Sequence, residues 1–295
     1  MQLEYCVLDV FTDTPLAGNP LGLFPDSAEL SGETMQSIAR ELNLSETIFI
    51  TGQLSPRAWQ ARIFTPGAEM LFAGHPSIGC SWHLFHAARD PFSELELHLP
   101  GGVVLATLDG NLDPALVAIT PPPVTLEKTV DHPALVAKLL GIADADLALE
   151  IAPPQVTAVG PRFLQIPLRS REALERCRPN VELLEQMEAE HGFSQLACFT
   201  LETYTEDATA AVRMFAPLLG VYEDPATGSN AACLATYLRA HGVVGDSGNG
   251  WLTLDQGYSM SRPSKLFIRA NQSAAGIAVQ VGGQCVEVIR GTMQL

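Results

Sequence analysis

Two stretches of this chain follow one plan. "RIFTPGAEMLFAGHPSIGCSWHLF" begins at Arg62, and "RMFAPLLGVYEDPATGSNAACLATYL" begins at Arg213. Each opens R-x-F-x-P, crosses a short variable segment to an X-Pro pair, and enters a run of small residues with helical character. The interval from the first proline to the second is ten residues in one copy and eight in the other. A plan repeated at this range constrains the chain to two similar halves. Between the copies stands "PPP" at 121–123. Three prolines continue neither a helix nor a central strand, so they mark a linker. The expectation is an α+β protein of two similar domains, residues 1–120 and 124–283, in which His75 holds in the first half the place that Asp224 holds in the second.

Local patterns fill in these halves. "EYCVLDVF", "ETIFIT", "AWQARIFT", "ELELHL" and "VVLATL" read as short strands. "SGETMQSIARELN" reads as a helix with Ser31 as N-cap and Met35, Ile38, Ala39 and Leu42 on one face. Beyond the prolines come a helix at "HPALVAKLLG", strands around 155–168, helical segments near 171–191, and strands near 195–202 and 210–216. The second small-residue helix and several strands complete the chain.

Charge narrows the partners. A net charge of −16 opposes binding to nucleic acid or to an anionic membrane. The uncharged stretch from Met70 to Ala88 contains Gly, Pro, Ser and three His residues, which disfavours a membrane span. The six cysteines are scattered without a C-x-x-C, and the start "MQLEYCVLDVF" has no basic n-region. Reduced thiols in a cytoplasmic protein are the expectation.

Several residues carry chemistry. Asp224-Pro225 fits either a helix cap followed by proline at the first helical position, or a carboxylate aimed at a ligand. His75-Pro76 fits a cap less well and leaves a buried histidine as the bland alternative. Each pair has a neighbouring glycine, Gly74 or Gly228, which lets backbone approach a ligand. The free amides of a helix start attract carboxylates and phosphates. Glu46 in "NLSETIFIT", on the face of Ile48 and Ile50, is either a solvated strand end or a carboxyl group suited to taking and returning a proton. Cys80, His83 and His86 are spaced C-x-x-H-x-x-H, but this spacing drifts around a helix and has no fourth ligand nearby. No metal is expected. Neither a P-loop, nor G-x-G-x-x-G after a strand, nor G-x-S-x-G is present.

Together, "VLDVFTDTPLAGNPLGLF", "ELNLSETIF", "RIFTPGAEMLFAGHPSIG" and "YEDPATGSNAACLATYL" resemble the PhzF-like family of phenazine-biosynthesis-type isomerases. "GWLTLDQGYSMSRPSKLFI" and "VIRGTMQL" extend the resemblance over nearly the whole chain. It implies a diaminopimelate-epimerase-like fold in which each half wraps a sheet around a central helix, with the active site between the halves. The final strand, about 284–295, would then rejoin the first domain. The resemblance also implies a cofactor-free isomerase that moves a proton within a small carboxylic acid such as trans-2,3-dihydro-3-hydroxyanthranilate, and a homodimer.

On that resemblance Glu46 matches the proton shuttle, and His75 and Asp224 match groups that assist transfer and position the substrate. Ser229, Gly74 and Gly228 match substrate-binding positions, Asn19 lines the cleft, and Ser45 orients Glu46. Related racemases use a cysteine at each helix start. Here Cys80 and Cys233 lie about one turn further on, which disfavours a thiol racemase. A non-catalytic binding protein on the same fold is the other alternative.

Overall fold

The computed structural model describes residues 1–248, 250–274 and 276–295. They form two compact units, Met1–Thr120 with Gly282–Leu295, and Pro121–Val281. The first unit opens with β1 (Gln2–Val10), β2 (Asn19–Phe24), α1 (Gly32–Leu42), β3 (Glu46–Ser55) and β4 (Ala58–Phe64). It continues with β5 (Glu69–Met70), α2 (Gly74–Ala87), β6 (Glu94–Leu99), β7 (Gly102–Asp109) and β8 (Leu116–Ile119). The second unit holds β9 (Thr125–Thr129), α3 (Pro133–Leu140), β10 (Gln155–Ala158), β11 (Arg162–Leu168), α4 (Arg171–Arg176) and α5 (Val181–His191). After these come β12 (Gln195–Thr200), β13 (Ala210–Ala216), β14 (Val221–Asp224), α6 (Gly228–Ala240), β15 (Leu252–Gln256) and β16 (Ser264–Ser273). β17 (Gly276–Gly283) passes the boundary by its last two residues, and β18 (Cys285–Gln294) belongs to the first unit.

The two units share one topology. In the first, β1–β2 is antiparallel, β2–β3 parallel, β3–β4 and β4–β5 antiparallel, β4–β6 parallel and β6–β7 antiparallel. In the second, β10 to β16 repeat that series pair for pair. Each parallel pair needs a helical crossover. α1 supplies it between β2 and β3, α4 with α5 between β11 and β12, α2 between β4 and β6, and α6 between β13 and β15. β18 pairs with β1 along its length, and β9 pairs with β10.

α1 forms where its sequence pattern places it. The Ser31 hydroxyl accepts the Thr34 N–H, Met35, Ile38 and Ala39 are buried, and Asn43 ends the helix in the left-handed region. α2 differs, being buried continuously from His75 to Ser81 and again at Leu84 and Phe85. A helix buried on all faces belongs inside its sheet. It packs against β1, β2, β3, β6, β7 and β8. Gly79 permits this, because a Cβ there would lie 2.5 Å from the Leu21 side chain and 3.0 Å from that of Val10. α6 is buried over Asn230–Leu238 and packs against β9, β10, β11 and β16. Among the described residues, no helix is long and apolar enough to cross a membrane.

Candidate active site

In the first unit, Glu46 opens β3 opposite Leu21 of β2. Ile48 and Ile50 are buried, while the Glu46 side chain keeps 18% of its surface exposed. It stands at the rim of an apolar face. His75 is the second residue of α2 and is 5% exposed. Its Nδ1 lies 3.4 Å from Glu46 Oε2. Burial lowers the ring's pKa from 6.5 to about 3, so the imidazole is neutral at neutral pH. The contact is therefore between a carboxyl group and a neutral ring, not an ion pair. His75 Nε2 is buried and has no hydrogen-bond partner among the described residues. Such an orphaned atom costs free energy.

The remaining residues of this half lie close by in sequence or strand order. Gly74 is the first residue of α2, where the backbone amides lack acceptors within the helix. Ser45 is half-buried just ahead of β3. Asn19 opens β2, fully buried and opposite Val10 of β1.

In the second unit, Asp224 ends β14. Its Oδ2 accepts a hydrogen bond from the Thr227 hydroxyl, and its main-chain carbonyl accepts one from Gln256 Nε2 at 2.8 Å. α6 starts at Gly228, with Thr227 in the N-cap position and Ser229 second in the helix. The cap reading of Asp224-Pro225 is thereby corrected. Asp224 still belongs to β14, the chain bends at Pro225, and the helix begins only at Gly228 behind Thr227.

An Arg–Glu clasp recurs in the two units and fixes their register. Arg62 Nε and Nη2 donate to Glu69 at 2.7 Å each, and the guanidinium lies over the Phe64 ring. Arg213 Nε and Nη2 donate to Glu223 at 2.8 and 2.7 Å, and this guanidinium lies over Phe215. Each Arg and Phe belong to an R-x-F-x-P motif, and each Glu lies on the short antiparallel strand that follows. Glu69 precedes Gly74, and Glu223 precedes Gly228, by the same five positions.

This register corrects the pairing drawn from the prolines. His75 is equivalent to Ser229, and Asp224 is equivalent to Met70. Arg62 faces Phe49 on β3, three places after Glu46, and Arg213 faces Cys198 on β12, three places after Gln195. Glu46 therefore has Gln195 as its counterpart. The prolines misled because Pro76 sits inside the first turn of α2, whereas Pro225 precedes α6.

Sequence reasoning missed the clasp and the roles of Thr227 and Gln256. The arginine common to both motif copies was the available signal. The spaced set Cys80, His83 and His86 does not assemble into a ligand cluster. Cys80 is buried, whereas the His86 ring stacks on Trp82 with centroids 4.1 Å apart and its Nδ1 lies 2.8 Å from the Trp82 carbonyl. Among the described residues, no three His, Cys, Asp or Glu side chains converge to hold a metal.

The chain is thus a duplicated sheet-and-helix unit, and in its first copy a carboxylate lies beside a neutral histidine at the start of the buried helix. The family model described as "Phenazine biosynthesis-like protein" matches residues 8–291. A trans-2,3-dihydro-3-hydroxyanthranilate isomerase of Pseudomonas chlororaphis is 34% identical, with 99% of each chain covered. An uncharacterized isomerase of Mesorhizobium japonicum is 31% identical over 98% of each. Among solved structures, a Bacillus anthracis protein of the PhzF family superposes with a TM-score of 0.90 over 100% of both chains at 21% identity. A predicted epimerase of Pseudomonas aeruginosa gives 0.82 over 99% of both at 30% identity. The chain belongs to the phenazine biosynthesis-like (PhzC-PhzF) family and is an isomerase of that type.

Proposed function

We propose that the chain moves a proton between two carbons of a small unsaturated carboxylic acid of the trans-2,3-dihydro-3-hydroxyanthranilate class, with Glu46 as the proton carrier. The Glu46–His75 contact carries this reading. A carboxylate takes a proton from carbon only if the electron pair left behind is delocalised and no stronger base nearby takes that proton instead. His75 with its pKa near 3 leaves the proton on Glu46. As the carbon–hydrogen bond breaks, its electron pair spreads into the conjugated acid. Glu46 then returns the proton to a second carbon, and the double bond shifts without any net gain or loss of electrons. No cofactor enters this scheme. In the first unit His75 and the Gly74 amide are the substrate-binding groups of this scheme, and in the second the Gly228 amide, the Ser229 hydroxyl and Asp224 are. Asn19 and Ser45 support the Glu46 side.

A thiol mechanism is disfavoured by burial, which raises the pKa of Cys80 and takes that of Cys233 to about 12. The test is proton NMR in D₂O with trans-2,3-dihydro-3-hydroxyanthranilate as probe. Deuterium is expected at a new carbon with the wild-type chain. Glu46→Gln lowers the rate by about 10²- to 10⁴-fold while leaving the fold intact. Undiminished turnover in that variant refutes the assignment.

A further inference from the structure

Gln256 closes β15 with its side chain buried. Its carboxamide touches three groups around Asp224. Oε1 accepts the Thr227 N–H at 3.3 Å, and Nε2 donates to the Asp224 main-chain carbonyl at 2.8 Å and to Thr227 Oγ1 at 3.1 Å. An amide N–H can only donate and a carbonyl can only accept, so these two backbone partners fix which way the carboxamide points. Thr227 Oγ1 therefore accepts a hydrogen bond from Gln256. Its own hydrogen is left to point at Asp224 Oδ2, with which it forms a hydrogen bond. Gly257, next in the chain, has φ +80°, and a Cβ there would lie 2.6 Å from the Pro225 carbonyl oxygen. The turn after β15 is thus built to press against the segment that carries Asp224.

We infer that Gln256 and Thr227 form a directed donor relay that holds the Asp224 carboxylate in one rotamer and in its ionised form. Both are positioning residues, acting through Asp224. The catalytic consequence rests on the role proposed above for Asp224, whereas the relay itself does not. Two donors in series polarise each other, so the final hydrogen bond to the carboxylate is stronger than that of an isolated hydroxyl. Glu223, the neighbouring charge on β14, is held by Arg213 and Ser259 and takes no part.

The experiment is carboxyl ¹³C NMR on the full-length chain labelled at aspartate, with the Asp224 signal assigned by its loss in Asp224→Asn. Thr227→Val removes the hydroxyl at nearly constant volume and is expected to raise the Asp224 titration midpoint by roughly one pH unit, the scale of one lost charge-assisted bond. Gln256→Met shifts it in the same direction by less, Thr227→Ser leaves it in place, and the double variant Thr227→Val with Gln256→Met matches Thr227→Val alone. A midpoint unmoved by Thr227→Val, or a double variant equal to the sum of the singles, overturns the relay. Turnover of the dihydrohydroxyanthranilate probe is measured alongside. Thr227→Val lowers kcat about tenfold and Thr227→Ser restores it. Full turnover in Asp224→Asn would sink the role of Asp224, while the titration midpoints would still decide the relay.

Discussion

The two Arg–Glu clasps provide a matched pair in which geometry is constant and burial is not. Both are bidentate through Nε and Nη2, and both guanidinium groups lie over a phenylalanine. The side chains of Arg62 and Glu69 are each 32% exposed, whereas those of Arg213 and Glu223 are 5% and 9% exposed. Arg213 Nη1 also donates to the carbonyls of Leu174, Glu175 and Cys177 at the end of α4, so its cation is held wholly by protein. Glu69→Ala frees Arg62 into water and is expected to cost under about 1 kcal/mol. Glu223→Ala leaves the Arg213 cation buried without its counter-ion and is expected to cost about 3–5 kcal/mol. For a unit of this size that amounts to a fall in Tm of roughly ten degrees. Replacing both Arg213 and Glu223 by methionine removes the orphaned charge and recovers most of the loss. Urea and thermal unfolding followed by fluorescence give the three values. Equal losses for Glu69→Ala and Glu223→Ala would refute burial as the determinant.

Three further outcomes are expected. Gly257→Ala forces a Cβ to within 2.2 Å of the Arg262 carbonyl oxygen at a positive φ, so it destabilises by about 2 kcal/mol or more and lowers turnover, which calorimetry and the isomerase assay would read together. His75 has its pKa depressed from 6.5 to about 3, so the unfolded chain binds the extra proton. This group therefore removes about 1.4 kcal/mol of stability per pH unit as pH falls from 6.5 toward 3, and His75→Gln flattens that part of the unfolding profile. All six cysteines are buried, so iodoacetamide at neutral pH leaves the native chain unlabelled and active. Rapid labelling of Cys80 or Cys233 with loss of turnover would revive the thiol mechanism.

Much of the fold was legible because it rests on local rules. Ser31 before a 3.6-residue apolar period dictates α1, and the alternation in "ELELHL" dictates β6. α2 lacks such a stripe, mixing small, apolar and histidine residues around its circumference, and its place inside the sheet was implied only by the family resemblance. The duplication was legible, yet its register was not. The segment from Arg to Glu is three residues longer in the second unit, so matching prolines aligned His75 with Asp224. Only the clasp, which depends on strand pairing, aligns His75 with Ser229. The short contact of Glu46 with His75 was equally hidden, since it depends on how closely Gly79 lets α2 approach the sheet. Gln256 gave no signal at all, because its partners are backbone groups and a threonine nearly thirty positions earlier.

The antiparallel pairing of β18 with β1, closed by the Leu295 N–H donating to the Met1 carbonyl at 2.8 Å, sets an order of events during synthesis. Every residue of the second unit leaves the ribosome before β18 does. That unit can mature while β1, made first, still waits with one edge bare. A bare strand edge is an adhesive surface. The first unit therefore relies on timing, with its opening strand protected only when the final one arrives, and a ribosome stalled within β18 would release a chain prone to stick to its siblings.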